Sequence, residues 1–179
     1  GDKAAGKEKS AVCAGCHGAD GNSVNPDWPT LAGQGAKYIV KQLKDFKSGD
    51  RSDPIMAGQV AALSDQDMED LAAYFAGQTA KAGTAEEKDL VLGESMFRGG
   101  NTANGIAACT GCHGPSGKGN PMATFPALGG QHAKYVAKQL KDFRSGARAN
   151  DAGKMMRNVA VRMTDAEIEA VSNYISGLH

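Results

Sequence analysis

Apolar side chains recur every three or four residues in some stretches of the chain and follow no period in others. Over residues 35–48, Tyr38, Ile39, Gln42, Leu43 and Phe46 share one helical face, and Gly49 supplies a C-terminal stop. Over residues 65–76, Met68, Leu71, Ala72 and Phe75 form a second face. Ser64 precedes it with Asp67 three residues on, an N-cap with a box-like acidic partner. The pattern returns near the end, where Thr164 caps, Glu167 answers, and Ile168, Val171 and Ile175 line the face. A short helix is predicted over residues 4–14. Between these elements lie loops rich in Gly, Asn and Pro, at 18–33 and 114–130. Such long irregular loops are uncommon in a compact domain and make sense if they wrap a flat cofactor. The pattern predicts an all-α protein.

The chain also repeats itself. Gln34–Arg51 and Gln131–Arg148 are identical at thirteen of eighteen positions, at a constant offset of 97. Cys13-Ala14-Gly15-Cys16-His17-Gly18 matches Cys109-Thr110-Gly111-Cys112-His113-Gly114 at offset 96, and Leu63-Ser64-Asp65 matches Met163-Thr164-Asp165 at offset 100. The second copy therefore carries one extra residue near 118–123 and three near 149–154. Two copies of this length indicate a duplicated domain rather than a solenoid. The expected division is an N-terminal domain over 1–78, a small polar linker over 79–91 and a C-terminal domain over 92–179.

Composition adds a physical demand. One Trp, four Tyr and five Phe are few aromatics for two cores, and glycine is abundant at 24. A half of this size buries little apolar surface and needs a staple such as a disulfide, metal or cofactor. Lys plus Arg equal Asp plus Glu, so nothing favours nucleic acid. No apolar run approaches the roughly 18 residues of a membrane span. No signal peptide is visible, so the expectation is a cytoplasmic chain or a mature, processed one.

The staple is named by Cys-x-x-Cys-His, which occurs twice and uses every cysteine. Cysteines at i and i+3 lie on one helical face, placed to form thioethers to the two vinyl groups of one haem. The next residue, His17 or His113, then reaches the iron from the same side. This is the attachment signature of haem c. A zinc site is the weaker reading, because the pairs lie over 90 residues apart. A redox dithiol is weaker too, for want of a βαβ context. His132 and His179 have no repeated counterpart. Methionine is the other common ligand of such iron, and Met56 matches Met156 at offset 100. Met155 aligns with Ile55 and competes with Met156, since the three-residue insertion lies just before both. Met68, Met96 and Met163 read as core filler.

Further groups repeat around these residues. Pro29 and Pro126 hold matched positions, either as carbonyl acceptors for the coordinating imidazoles or as plain turn prolines. Tyr38, Gln42 and Arg51, with Tyr135, Gln139 and Arg148, suit haem propionates, although helix packing explains part of their repetition.

On the two CHG motifs, Asn22-Ser23, Leu31-Ala32-Gly33-Gln34-Gly35, the helix Lys138–Arg144 and the ending Tyr174–His179, essentially the whole chain resembles the cytochrome c4 family, the dihaem members of the class I cytochrome c superfamily. The resemblance implies two tandem class I cytochrome c folds related by a pseudo-twofold axis, with haem edges facing across the interface. It implies His–Met ligation at both irons, which maps onto Met56 and Met156, and the carbonyl-acceptor role for Pro29 and Pro126. It also implies a bacterial periplasmic electron carrier, soluble or peripherally membrane-attached, taking electrons from a quinol-oxidising complex and delivering them to a terminal oxidase. The chain is expected to be a monomer.

Residues 1–88 carry 10 Lys/Arg against 13 Asp/Glu, and residues 89–179 carry 10 against 7, so the neutral total conceals a dipole. Such a field orients partners, so either the two halves face different ones or the split is ordinary solvated surface charge. The competing function is a dihaem peroxidase-like enzyme, which needs one iron with a displaceable ligand. Such enzymes are longer and less symmetric, and both halves here keep a matched methionine. A haem-based sensor would usually be fused to an output domain, and none is visible.

Overall fold

The structure, a computed structural model, describes residues 1–179 and is all-α, as the periodicity predicts. Its helices are α1 (Lys3–Lys9), α2 (Ala14–His17), α3 (Ala36–Ser48), α4 (Pro54–Val60), α5 (Asp65–Ala76), α6 (Leu90–Gly99), α7 (Thr110–His113), α8 (Ala133–Ser145), α9 (Met155–Ala160) and α10 (Asp165–Ser176). No extended strand forms; isolated bridge residues occur in the loops, among them an antiparallel pair between Asn101 and Ile106. Two compact units result. Unit 1 comprises Gly1–Lys81 with Pro121–Pro126, and unit 2 comprises Ala82–Asn120 with Ala127–His179. The segment Pro121–Pro126, in the loop lengthened by the second copy's extra residue, thus departs from a simple division by sequence.

In unit 1 the leading helix stops at Lys9, short of residue 14. A tighter turn over Ser10–Val12 follows and leads into the first cysteine. Asp2 caps α1, its carboxylate accepting the N–H groups of Ala4 and Ala5 at 2.7 and 3.0 Å. The helix crosses α5 at Gly6, where an added Cβ would stand 2.0 Å from the Asp70 carbonyl oxygen. The buried Asp70 carboxylate locks the crossing by accepting from the Asp2 N–H at 2.7 Å, Lys9 Nζ at 2.6 Å and Gln66 Nε2 at 2.8 Å. The predicted capping box forms, with the Asp67 carboxylate accepting the Ser64 N–H and the Ser64 hydroxyl oxygen accepting the Asp67 N–H. The face it starts packs Leu71, Ala72 and Phe75 against Ile39 of α3, with Cys13, Leu31 and Leu43 at the margin. Burying a large apolar side chain contributes about 1.5–3 kcal/mol, so a core this small leaves room for a stabilising group.

Unit 2 repeats the plan with a larger core. Helix α6 crosses α10 at Gly93, where a Cβ would stand 2.2 Å from the Ala170 carbonyl oxygen. Met96, Phe97, Ile106, Val136, Leu140, Ile168, Val171 and Ile175 pack together, and the Phe97 and Tyr174 rings lie 5.5 Å apart in a tilted pair. The Thr164–Glu167 capping box forms as predicted. Glu167 also accepts from Asn101 Nδ2 at 2.7 Å, a role Asp70 fills differently in unit 1.

The segment expected to be a linker over 79–91 is tied down on each unit. Asn22 donates to the Thr79 carbonyl at 3.0 Å and accepts the Lys81 N–H at 2.8 Å. Asn173 accepts the Glu86 N–H at 2.8 Å and donates to the carbonyls of Glu86 and Lys88. Residues 90 and 91 already belong to α6.

Candidate functional site

Each Cys-x-x-Cys-His motif is one helical turn. The N–H of His17 donates to the Cys13 carbonyl at 3.0 Å, and that of Cys16 to the same carbonyl at 3.2 Å. The His113 and Cys112 N–H groups donate to the Cys109 carbonyl at 2.9 and 3.2 Å. Gly18 ends the first turn at φ +80°, and a Cβ there would meet the Asn22 carbonyl oxygen at 2.5 Å, so neither the backbone nor the space suits another residue. The turn places Cys13, Cys16 and His17 on one side of α2, and Cys109, Cys112 and His113 on one side of α7. No disulfide joins any of the four cysteines. Burial pushes the Cys13 thiol up from its ordinary value, with Cys16 adding to the effect, and pushes Cys109 up to about 11.

His17 is 7% exposed and its Nδ1 lies 2.8 Å from the Pro29 carbonyl oxygen. The carbonyl only accepts, so Nδ1 carries the proton and the Nε2 lone pair is left for a metal. Burial lowers the His17 pKa, against the opposing pull of the Pro29 hydrogen bond, and the net direction favours the neutral ring that ligation requires. His113 is equally buried.

The methionines lie on short helices that the periodicity did not reveal. Asp53 caps α4, its Oδ1 accepting the N–H groups of Ile55 and Met56 at 3.0 Å, with Pro54 at the first position. Ile55 is 58% exposed while Met56 is half-buried. On α9 the two candidates separate: Met155 is 44% exposed, whereas Met156 packs against the unit 2 core, as do Cys109 and Leu128. Asp53-Pro54, an N-cap followed by a first-turn proline, was the available signal for α4. No such signal precedes α9.

The structure pairs some of the repeated polar residues. Arg51 Nη1 donates to Gln42 Oε1 at 2.9 Å, and Arg148 Nη1 to Gln139 Oε1 at 2.8 Å. Each guanidinium lies over a ring, 4.6 Å from the Phe46 centroid and 4.5 Å from that of Phe143. Both arginines are buried, and Tyr38 and Tyr135 are half-buried.

No three His, Cys, Asp or Glu side chains converge on a point, so neither cysteine pair belongs to a zinc cage. The donor set is instead that of haem c, with two thiols for covalent attachment, a neutral imidazole, a thioether and a preorganised guanidinium for a propionate. The residues present fit the group in each half.

Known proteins give the same answer. The cytochrome c family profile matches residues 4–79 and 99–179. The chain is 54% identical to cytochrome c4 of Pseudomonas aeruginosa, covering 100% of this chain and 90% of that one. It is 42% identical to the thiosulfate dehydrogenase electron acceptor of Stutzerimonas stutzeri, covering 93% of this chain and 79% of that one. The crystal structure of reduced cytochrome c4 from Pseudomonas stutzeri superposes with a TM-score of 0.98 at 51% identity, covering 100% of both chains.

Proposed function

The chain belongs to the cytochrome c family as a two-domain chain of the cytochrome c4 type, an electron carrier with two covalently bound haems, and from that premise we propose how its residues hold the haems and where it works. Cys13 and Cys16 hold one haem, with His17 and Met56 as the iron ligands. Cys109 and Cys112 hold the other, with His113 and Met156. The haem iron supplies the one-electron chemistry, and the thioether ligands favour the reduced state and so raise the potential. The Pro29 carbonyl fixes the His17 ring and makes it more basic, and Pro126 does the same for His113. Arg51 with Gln42, and Arg148 with Gln139, are ready donors to the propionates, with Tyr38 and Tyr135 alongside.

The observation that carries this reading is the same donor set in both halves: a cysteine pair outside any disulfide, a buried histidine, and a partly buried methionine on a short helix just before the last one. Two such sites suit electron transfer, not substrate binding at iron. We place the carrier in the bacterial periplasm, between a quinol-oxidising complex and a terminal oxidase. The test is oxidation of the reduced holoprotein by bacterial membranes. Rapid, cyanide-sensitive oxidation is expected, and none at all contradicts the acceptor assignment. A second reading concerns the donor alone. The 42%-identical relative takes electrons from thiosulfate dehydrogenase by its name, so a thiosulfate-oxidising enzyme is an alternative source. Reduction by that enzyme faster than by the quinol-oxidising complex supports it.

A further inference from the structure

The helix that carries Met156 begins differently from the one that carries Met56. Helix α4 starts in the ordinary way, with Asp53 at the N-cap in extended backbone and both Ile55 and Met56 N–H groups satisfied by it. Before α9 the chain has three additional residues, and the position matching Asp53 is Gly153. Lys154 occupies the N-cap with left-handed φ +58°, and its side chain caps nothing. Gly153 before it is also left-handed, at φ +59°. Two successive left-handed residues, one of them a lysine, are a strained way to open a helix.

The missing cap comes from upstream. Asp151 Oδ2 accepts the N–H of Arg157 at 3.0 Å, and Oδ1 accepts Arg157 Nε at 2.7 Å. The Asp151 side chain is only 5% exposed. Arg157 directly follows Met156, and its counterpart in the first half is Ala57, which has no side-chain donor.

We propose that Asp151 is a positioning residue for the iron ligand Met156: by gripping the backbone and guanidinium of Arg157 it fixes the first turn of α9, and with it the direction of the Met156 thioether. The proposal rests on the reading that Met156 is the ligand. Both Asp151 oxygens face donors, so both must accept. In Asp151→Asn one oxygen becomes an NH2 of the same size, which sets a donor against a donor at one of the two bonds. The first turn then loosens, the left-handed link at Gly153–Lys154 is free to relax, and Met156 leaves the iron more often. The N-terminal haem is unaffected, because Asp53 holds α4 independently.

The test uses the reduced holoprotein, read by carbon monoxide binding and by the proton NMR signals of ligand methionine methyls, which the haem ring current shifts strongly. Met156→Ala comes first. It is expected to remove one of two shifted methyl signals and to let one haem per chain bind the gas. If it does neither, Met156 is not the ligand and the proposal falls with that reading. Asp151→Asn is expected to shift or broaden that same signal, spare the other, and speed gas binding at one haem about tenfold or more, the usual scale for loss of a group that orients a metal ligand. An unchanged signal and rate, with Met156→Ala behaving as expected, overturn the positioning role alone. A purely structural role would lower Tm without touching the signal. Should Asp151→Asn fail to fold, Arg157→Lys keeps the backbone bond and removes the Nε donor. A smaller shift of the same signal is then expected, and no shift overturns the proposal.

Discussion

Single residues decide where this chain departs from its own repeat. Ser172 is fully buried on α10 and its hydroxyl has no hydrogen-bond partner, whereas the matching residue of the first half is Ala72. A buried unsatisfied hydroxyl costs about 1–3 kcal/mol, so Ser172→Ala is expected to stabilise the protein by about 1 kcal/mol, read as a higher urea midpoint with unchanged m. Asp70 has the opposite character. The Asp2 N–H, then Lys9 and Gln66, hold its carboxyl down to about 2. An unfolded aspartate titrates near about 3.9, so this group's stabilisation is complete above that pH and is lost as pH falls through about 2. The counterpart is Ala170, so unit 2 lacks this particular anchor between its leading and last helices; its own lowered carboxyls are Asp151, Asp165 and Glu167. Hydrogen exchange in α1 is expected to accelerate on acidification before that in α6, and Asp70→Asn to abolish the difference. Equal acid sensitivity of α1 and α6 in the native chain contradicts this account.

At the level of elements, the crossings of α1 on α5 and of α6 on α10 depend on close backbone approach. Gly6→Ala and Gly93→Ala each place a methyl within 2.0–2.2 Å of a carbonyl oxygen across the crossing, so the helices must separate. Overpacking of this kind costs about 1–3 kcal/mol, measurable by urea unfolding of each variant. The long helices were legible because α3, α5, α8 and α10 run for twelve or thirteen residues, enough for a period to declare itself. Helices α4 and α9, at seven and six residues, are too short to show one. They carry the methionines, so alignment of the copies found Met56 and Met156 while their helical setting stayed hidden. The pairing of Arg51 with Gln42 was visible as joint repetition, not as a bond. The tethering of residues 79–88 by Asn22 and Asn173 left no trace, since a polar segment held by side-chain amides has the composition of a free linker.

Over the whole molecule, duplication supplied two haem sites of one design, and later changes made the halves unequal. Different sets of residues anchor the leading helices and start the methionine helices, and the first half carries an acidic excess where the second carries a basic one. If the halves meet different partners, reversing charges on one half should change the rate with one partner and not the other, and the effect should shrink as salt rises. Equal changes with donor and acceptor contradict it. No helix is long and apolar enough to cross a membrane, so any membrane association would have to come from something other than a spanning helix of these residues.

The central claim is that both irons are closed by a methionine, which makes the chain a carrier. The most direct test is the absorption spectrum of the reduced holoprotein before and after carbon monoxide. An unchanged spectrum is the predicted result, as follows from the proposal that Met56 and Met156 hold both sixth positions. Stoichiometric binding by either haem means that its iron is open, and contradicts the account.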